Sequence, residues 1–237
     1  MVYTKSTDST NTAIKELIIN KKIETGYSLY TFNQLKGRAR GERAFESNDG
    51  GLYYSIALNA KDKDITSLPV YVSLIISNAL DDFFSINTTI KWVNDIIYKS
   101  KKCAGILCEK VYDYVIIGIG VNVFNTFSKE LENKAISIKK DKRIDYTLLH
   151  RLAEKIDNEL KTKLNGFNFP LNWIEDYKKK SAILGKQCTL STLFGEKIAE
   201  GAVINFETDG KIIIKTPKGL EVFDIGEISL VSNFLYN

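Results

Sequence analysis

The chain has 237 residues, 44% hydrophobic and 26% charged, with a formal net charge of +4. That describes a soluble globular protein long enough for one domain of ordinary core plus a small appendage. No apolar run reaches a membrane span, residues 1–20 hold no signal-type apolar core, and the mild positive charge suits small anionic substrates without requiring nucleic acid.

In chain order, Asp8-Ser9-Thr10-Asn11 precedes the apolar spacing Ala13, Ile14, Leu17, Ile18, which predicts a helix capped by one of those polar residues. A polar Gly/Arg-rich segment over 37–51 leads to a strand over 52–58. Residues 68–84 read as a helix, with Ser67 as cap and Pro69 in its first turn. A hairpin follows. Its strands are 86–90 and 103–109, with Lys91-Trp92-Val93-Asn94-Asp95 between them and Lys99-Ser100-Lys101 at its tip. The next strand, 115–123, contains Gly118-Ile119-Gly120-Val121-Asn122, and helices are predicted over 146–164 and 171–180. From Leu184-Gly185 the pattern changes to short strands over 187–191, 197–206, 211–216 and 220–224. Thr208-Asp209-Gly210 and Pro217-Lys218-Gly219 supply tight turns. The fold class is therefore α+β. A mixed β-sheet domain packed with helices covers 1–183, and a small all-β barrel over 184–237 packs on it.

Cys103, Cys108 and Cys188 form no CxxC pair and read as reduced thiols in a cytosolic protein. His150, the single histidine, has no Cys, Ser or second His placed beside it and reads as structural. Any catalysis then falls to lysine, arginine, carboxylates and backbone amides. Lys102 leads into a strand beside Gly105, where an ammonium can stand over a pocket floor of bare backbone; solvated hairpin lysines are the plainer alternative. In Gly37-Arg38-Ala39-Arg40-Gly41-Glu42-Arg43, arginines alternate with small residues, so guanidinium forks and backbone N–H groups can wrap an anion. The GxxxxGK[ST] of a Walker loop is absent, and an ordinary exposed basic loop is the bland reading. Gly118-x-Gly120-x-Asn122 lacks the third glycine of a dinucleotide fingerprint and reads as a strand that permits close packing.

In this order and at these distances, the pieces resemble the biotin protein ligases over nearly the whole chain. Ser9-Thr10-Asn11 is similar to the family's Ser-Thr-Asn element, and Gln34 with 37–45 to its glutamine and GRGRxGRxW loop. Lys91 to Asp95 resembles KWPND, Lys102 the lysine of KxAGIL, and Gly118 to Asn122 the glycine-rich strand. The C-terminal strands, with Gly226-Glu227-Ile228-Ser229-Leu230, resemble the family's SH3-like domain. The resemblance implies ATP-dependent formation of biotinyl-5′-AMP, then transfer of biotin to a lysine of a biotin carboxyl carrier protein. Biotin and ATP would be the substrates, with Mg²⁺ carried by the ATP phosphates and no metal site on the protein. Catalysis would fall to Lys102 and Arg40, with Asp95 as a proton acceptor or a structural group. Ser9, Thr10, Asn11 and Gln34 would read biotin's polar parts. Gly37, Arg38, Ala39, Arg40, Lys102 and Gly105 would also contact biotin, and Gly118 and Gly120 would let its rings lie against the sheet. Arg38, Arg40, Arg43 and Lys102 would hold the nucleotide phosphates, with Phe45 on adenine and Lys91, Asn94 and Asn122 nearby.

The chain departs from the family pattern at Ala39, Glu42, Phe45 and Val93. These changes bear on loop closure and affinity more than on reaction class. The chain begins almost at the Ser-Thr-Asn element, so a repressor's DNA-binding domain is not expected. The implied protein is cytoplasmic, without membrane or DNA partners, and compatible with a monomer or a homodimer. The nearest rival is a lipoate-type ligase. A rival of another class is a non-catalytic module that binds RNA or an acidic partner, but here the aromatics fall mostly in apolar runs rather than among the basic residues.

Overall fold

The computed structural model describes residues 1–41, 43–141, 143–192, 195–224 and 228–231, the last four by backbone alone. Helix α1 (Thr10–Ile19) lies between strands β1 (Val2–Tyr3) and β2 (Ser28–Thr31) in the chain. Strand β3 (Leu52–Asn59) and helix α2 (Leu68–Phe84) follow. Next come β4 (Thr89–Lys91), β5 (Asp95–Tyr98), β6 (Lys101–Val111) and β7 (Tyr114–Val121). Helices α3 (Tyr146–Lys163) and α4 (Trp173–Lys180) precede β8 (Gln187–Thr192), β9 (Lys197–Phe206), β10 (Ile212–Thr216), β11 (Gly219–Phe223) and β12 (Ile228–Val231).

The first seven strands form a mixed sheet in the order β1-β2-β3-β7-β6-β5-β4, parallel only between β1 and β2. Side chains alternate across it, so one face carries Tyr54, Ile56, Ile117 and Ile119 into a core under α2 and α3. α2 is apolar almost all round and is buried to match, whereas α3 turns one stripe inward, Leu149, Leu152, Ala153, Ile156 and Leu160. The opposite face is covered at one end by α1, where Ile14 and Ile18 meet Leu29, Ala57 and Ile116. The rest of that face is left to the polar site.

Helix α2 spans the predicted residues. Elsewhere the boundaries move for identifiable reasons. The strand expected over 86–90 is confined to β4, because Thr88 donates both its N–H and its hydroxyl to Asp81 Oδ1 at 2.8 Å. Those bonds tie this stretch to the end of α2 instead of to the sheet. Residues 95–98 form an additional strand, so Lys91 to Asp95 spans the turn of one hairpin and Lys99-Ser100 the turn of the next. The helix expected from 171 starts at Trp173, and the strand expected over 115–123 is β7, ending at Val121. Ser9 occupies the N-cap position of α1 without a side-chain cap bond. The Thr10 N–H instead donates to Gln34 Oε1 at 2.8 Å, a cap supplied from a distant loop. Ser67 likewise holds the cap position of α2 by its backbone only.

The remaining strands form an antiparallel sheet in the order β11-β10-β9-β8-β12, an open ladder among the described residues. It shares the main core: Val203, Phe206, Ile212 and Ile214 belong to the same apolar cluster as Trp92, Trp173 and Tyr177. Trp92 Nε1 donates to the Gly210 carbonyl at 3.0 Å, and Ala182 N to Ile90 O at 2.8 Å. The hairpin turn at 92–94 is thus pinned from the second sheet.

Candidate functional site

Antiparallel register lays the site out in rows. Tyr53, Gly120, Gly105, Asp95 and Lys91 stand side by side across β3, β7, β6, β5 and β4. One row along the same face come Ser55, Gly118 and Leu107, and then Ala57, Ile116 and Glu109. The glycines matter here for close approach. A Cβ on Gly118 would stand 2.1 Å from Asn11 Oδ1, and one on Gly120 would stand 2.8 Å from the Phe45 ring. Bare backbone lets α1 and the Phe45 ring lie directly on the sheet.

The first turn of α1 joins a polar network. Gln34 Oε1 accepts from the Thr10 N–H and, at 3.2 Å, from the Thr10 hydroxyl. The fully buried Ser55 hydroxyl lies 2.7 Å from Thr10 Oγ1 and 2.6 Å from Asn11 Oδ1. Asn11 Nδ2 donates to Glu109 Oε2 at 2.7 Å, and Arg38 pairs with Glu109 at 3.0 Å.

The arginine segment is a small hairpin. Ala39 N donates to Arg43 O at 2.7 Å and Phe45 N to Gly37 O at 2.9 Å, while Gly41 turns the tip with φ +62°. Glu42 lies outside the described residues. Gly37 is wedged at the base, where a Cβ would meet Ser47 Oγ at 2.1 Å. Phe45 then folds back over the sheet, with Lys102 Nζ 5.5 Å from its ring centroid.

Lys102 reaches Asp95 Oδ1 at 2.5 Å. Burial would raise the Asp95 carboxyl, but the Lys102 and Lys91 ammoniums outweigh it and hold the carboxyl below its ordinary 3.8. Burial also draws the Lys91 ammonium below the usual lysine range, against the pull of Asp95. Two amides fix the surrounding backbone. Asn94 Nδ2 donates to Ile106 O at 2.6 Å, and Asn122 Nδ2 to Lys102 O at 3.3 Å.

Two adjoining pockets result. The first, a cleft with a free volume of about 40 Å³, is narrowed by Phe45 and Asn11. Every residue expected to contact biotin lines it except Gly37. The second, about 320 Å³, is lined by the residues expected around ATP except Arg38, which faces the first. Ala39, Arg40, Phe45, Asn94 and Lys102 belong to both. Asp95 lines the second only. An acyl group in one pocket and a nucleotide in the other would therefore meet beside Arg40 and Lys102.

A family model described as the biotin/lipoate A/B protein ligase family matches residues 3–122. The chain belongs to this family. The solved biotin protein ligase from Aquifex aeolicus in complex with biotin and ATP superposes with a TM-score of 0.82 at 29% identity, over 98% of each chain. The bifunctional ligase/repressor BirA of Bacillus subtilis is 28% identical over 97% of this chain and 74% of its own length. Biotin–protein ligase 1 (chloroplastic) of Arabidopsis thaliana is 35% identical over 44% of this chain and 31% of its own length. This chain thus matches about a third of the plant ligase.

For this ligase-family member, sequence reasoning missed Ser55, Tyr53 and Glu109 around the first pocket, and Glu46, Phe127, Leu131, Lys134 and Ala135 in the lining of the second. Ser55 and Glu109 enter through pairings across the fold, while Tyr53 lines the cleft and donates to the Asn48 carbonyl at 2.8 Å. His150 is structural. It bonds Tyr30 at 2.7 Å within a cluster that includes Tyr3 and Phe32, and it lines neither pocket. The three cysteines are free. Burial pushes Cys103 and Cys108 up to about 12 and Cys188 to about 11, so they are inert thiols.

Proposed function

We propose that this protein is a biotin protein ligase. In the first step a biotin carboxylate oxygen attacks the α-phosphorus of ATP. The bond to the β-phosphate oxygen breaks, releasing pyrophosphate and leaving biotinyl-5′-AMP. In the second, a lysine amine of a biotin carboxyl carrier protein attacks the acyl carbon and loses its proton as AMP departs with the anhydride oxygen. The observation that carries this reading is the junction of the two pockets at Lys102 and Arg40.

Two anions must meet in the first step, so fixed cations are the main requirement. Lys102 serves the acyl oxygen and the α-phosphate together, and Arg40 closes over the anhydride to exclude water. Ser9, Thr10, Asn11 and Gln34 receive biotin's polar ring, with Arg38 near its carboxylate. Its rings reach Gly118 and Gly120 once Phe45 swings off Gly120 toward the adenine. Asp95 is read as the group that holds Lys102, since a carboxyl kept below its ordinary value is a weak base. Asn94 and Asn122 shape the nucleotide pocket through their backbone bonds. Mg²⁺ enters on the ATP phosphates.

The proposal extends to a catalytic domain over 1–183 and an SH3-like domain over 184–237. It includes a cytoplasmic location, which suits free thiols, and a possible homodimer. Among the described residues, no helix is long and apolar enough to cross a membrane. No DNA-binding role is included, and tight, salt-sensitive operator binding would overturn that part.

ATP–pyrophosphate exchange with biotin, lipoate or neither tests the reading. Exchange dependent on biotin is expected. Dependence on lipoate would select the other branch of the family, and no exchange with either acid would favour a binding module.

A further inference from the structure

Glu109 lies at the far end of the site face, beyond the residues that would contact either substrate. Its carboxylate makes two kinds of contact at once. Arg38 Nη2 stands 3.0 Å from Oε1 and Nη1 3.4 Å from Oε2, a forked pair. Asn11 Nδ2 donates to Oε2 at 2.7 Å. The ion pair alone, about a fifth exposed on the Glu109 side and more on the Arg38 side, is weak evidence of a role. The amide contact adds the decisive constraint.

An ionised carboxylate only accepts hydrogen bonds, so the Asn11 amide must present its NH₂ to Glu109. Its carbonyl oxygen is then turned toward the Ser55 hydroxyl, over the bare backbone of Gly118. Asn11 Nδ2 also lies 3.4 Å from the Leu107 carbonyl, so without Glu109 the amide keeps only that longer bond to tell its two ends apart. Arg38 would also lose the partner that holds it against β6.

We propose that Glu109 is a positioning residue that sets the hydrogen-bonding polarity of the first pocket. It fixes which end of the Asn11 amide a bound acid meets, and it orients Arg38 before that acid arrives. The inference rests on the ligase reading above. It predicts that the polar ring of biotin is recognised through an amide whose orientation is imposed by a carboxylate bonded directly to it.

Glu109→Gln is the direct test, because glutamine keeps the shape but can donate as well as accept. In ATP–pyrophosphate exchange, the KM for biotin is expected to rise about tenfold, as for loss of one charge-assisted bond. The KM for ATP and kcat should stay within about twofold. Glu109→Asp, still acceptor-only, should lose less than Glu109→Gln. In an Asn11→Ala background, Glu109→Gln should change the biotin KM much less than it does alone. An unchanged biotin KM, an equal loss in the KM for ATP and kcat, or a full Glu109→Gln effect without Asn11 would overturn the proposal while leaving the ligase reading intact. Absence of biotin-dependent exchange in the unsubstituted protein would overturn both.

Discussion

Lys102 and Asp95 form the pair on which the site's chemistry turns, because the carboxylate orients the ammonium that both pockets share. If Asp95 acts through Lys102, Asp95→Asn should slow biotin-dependent pyrophosphate exchange and carrier biotinylation from preformed biotinyl-AMP alike. Full-rate exchange with transfer abolished would instead identify Asp95 as the proton acceptor. The same carboxyl makes a pH prediction. Its folded value lies below the unfolded 3.8, so between the two the unfolded chain binds more protons. The Asp95 contribution is therefore fully present above about pH 4 to 5 and is lost as pH falls through the folded value. Thermal unfolding across acid pH should show a shallower slope in Asp95→Asn than in the unsubstituted protein. An identical slope would mean that the pair adds nothing to stability.

The elements that position these residues differ in how plainly the sequence announces them. Helix α2 is legible end to end because apolar residues recur through its whole length and Pro69 marks the first turn. β1 and β2 are too short to show a period, and β5 is hidden because its two apolar residues lie between hairpin turns. Lys102 and Arg40 are visible through charge near glycine, and Lys91 through the Lys-Trp-Val-Asn-Asp stretch that it opens. Ser55 and Glu109 are not, since each gains its role from Asn11, 44 and 98 positions away in the chain. The glycine rows give a test of how closely α1 must lie on β7. Gly118→Ala would push a methyl group into Asn11 Oδ1, so the KM for biotin should rise at least tenfold while the KM for ATP holds. Equal losses for both substrates would show that the change disturbs the whole sheet.

At the scale of the molecule, the two sheets are bound by one core rather than by a linker. Trp92, at the turn that borders the nucleotide pocket, is buried against the second sheet and bonded to Gly210. Calorimetric unfolding should accordingly give a single transition, with 1–183 and 184–237 melting together. Two resolved transitions would mean that the shared core does not couple them. The central claim is that an acid and a nucleotide are joined where the two pockets meet at Lys102. Mass spectrometry of the protein after incubation with biotin and Mg-ATP, in the absence of a carrier, tests it most directly. The account predicts biotinyl-AMP retained on the protein, formed about 10²- to 10³-fold more slowly in Lys102→Ala. Adenylate formed from lipoate but not biotin, or biotinyl-AMP formed at an unchanged rate without Lys102, would contradict it.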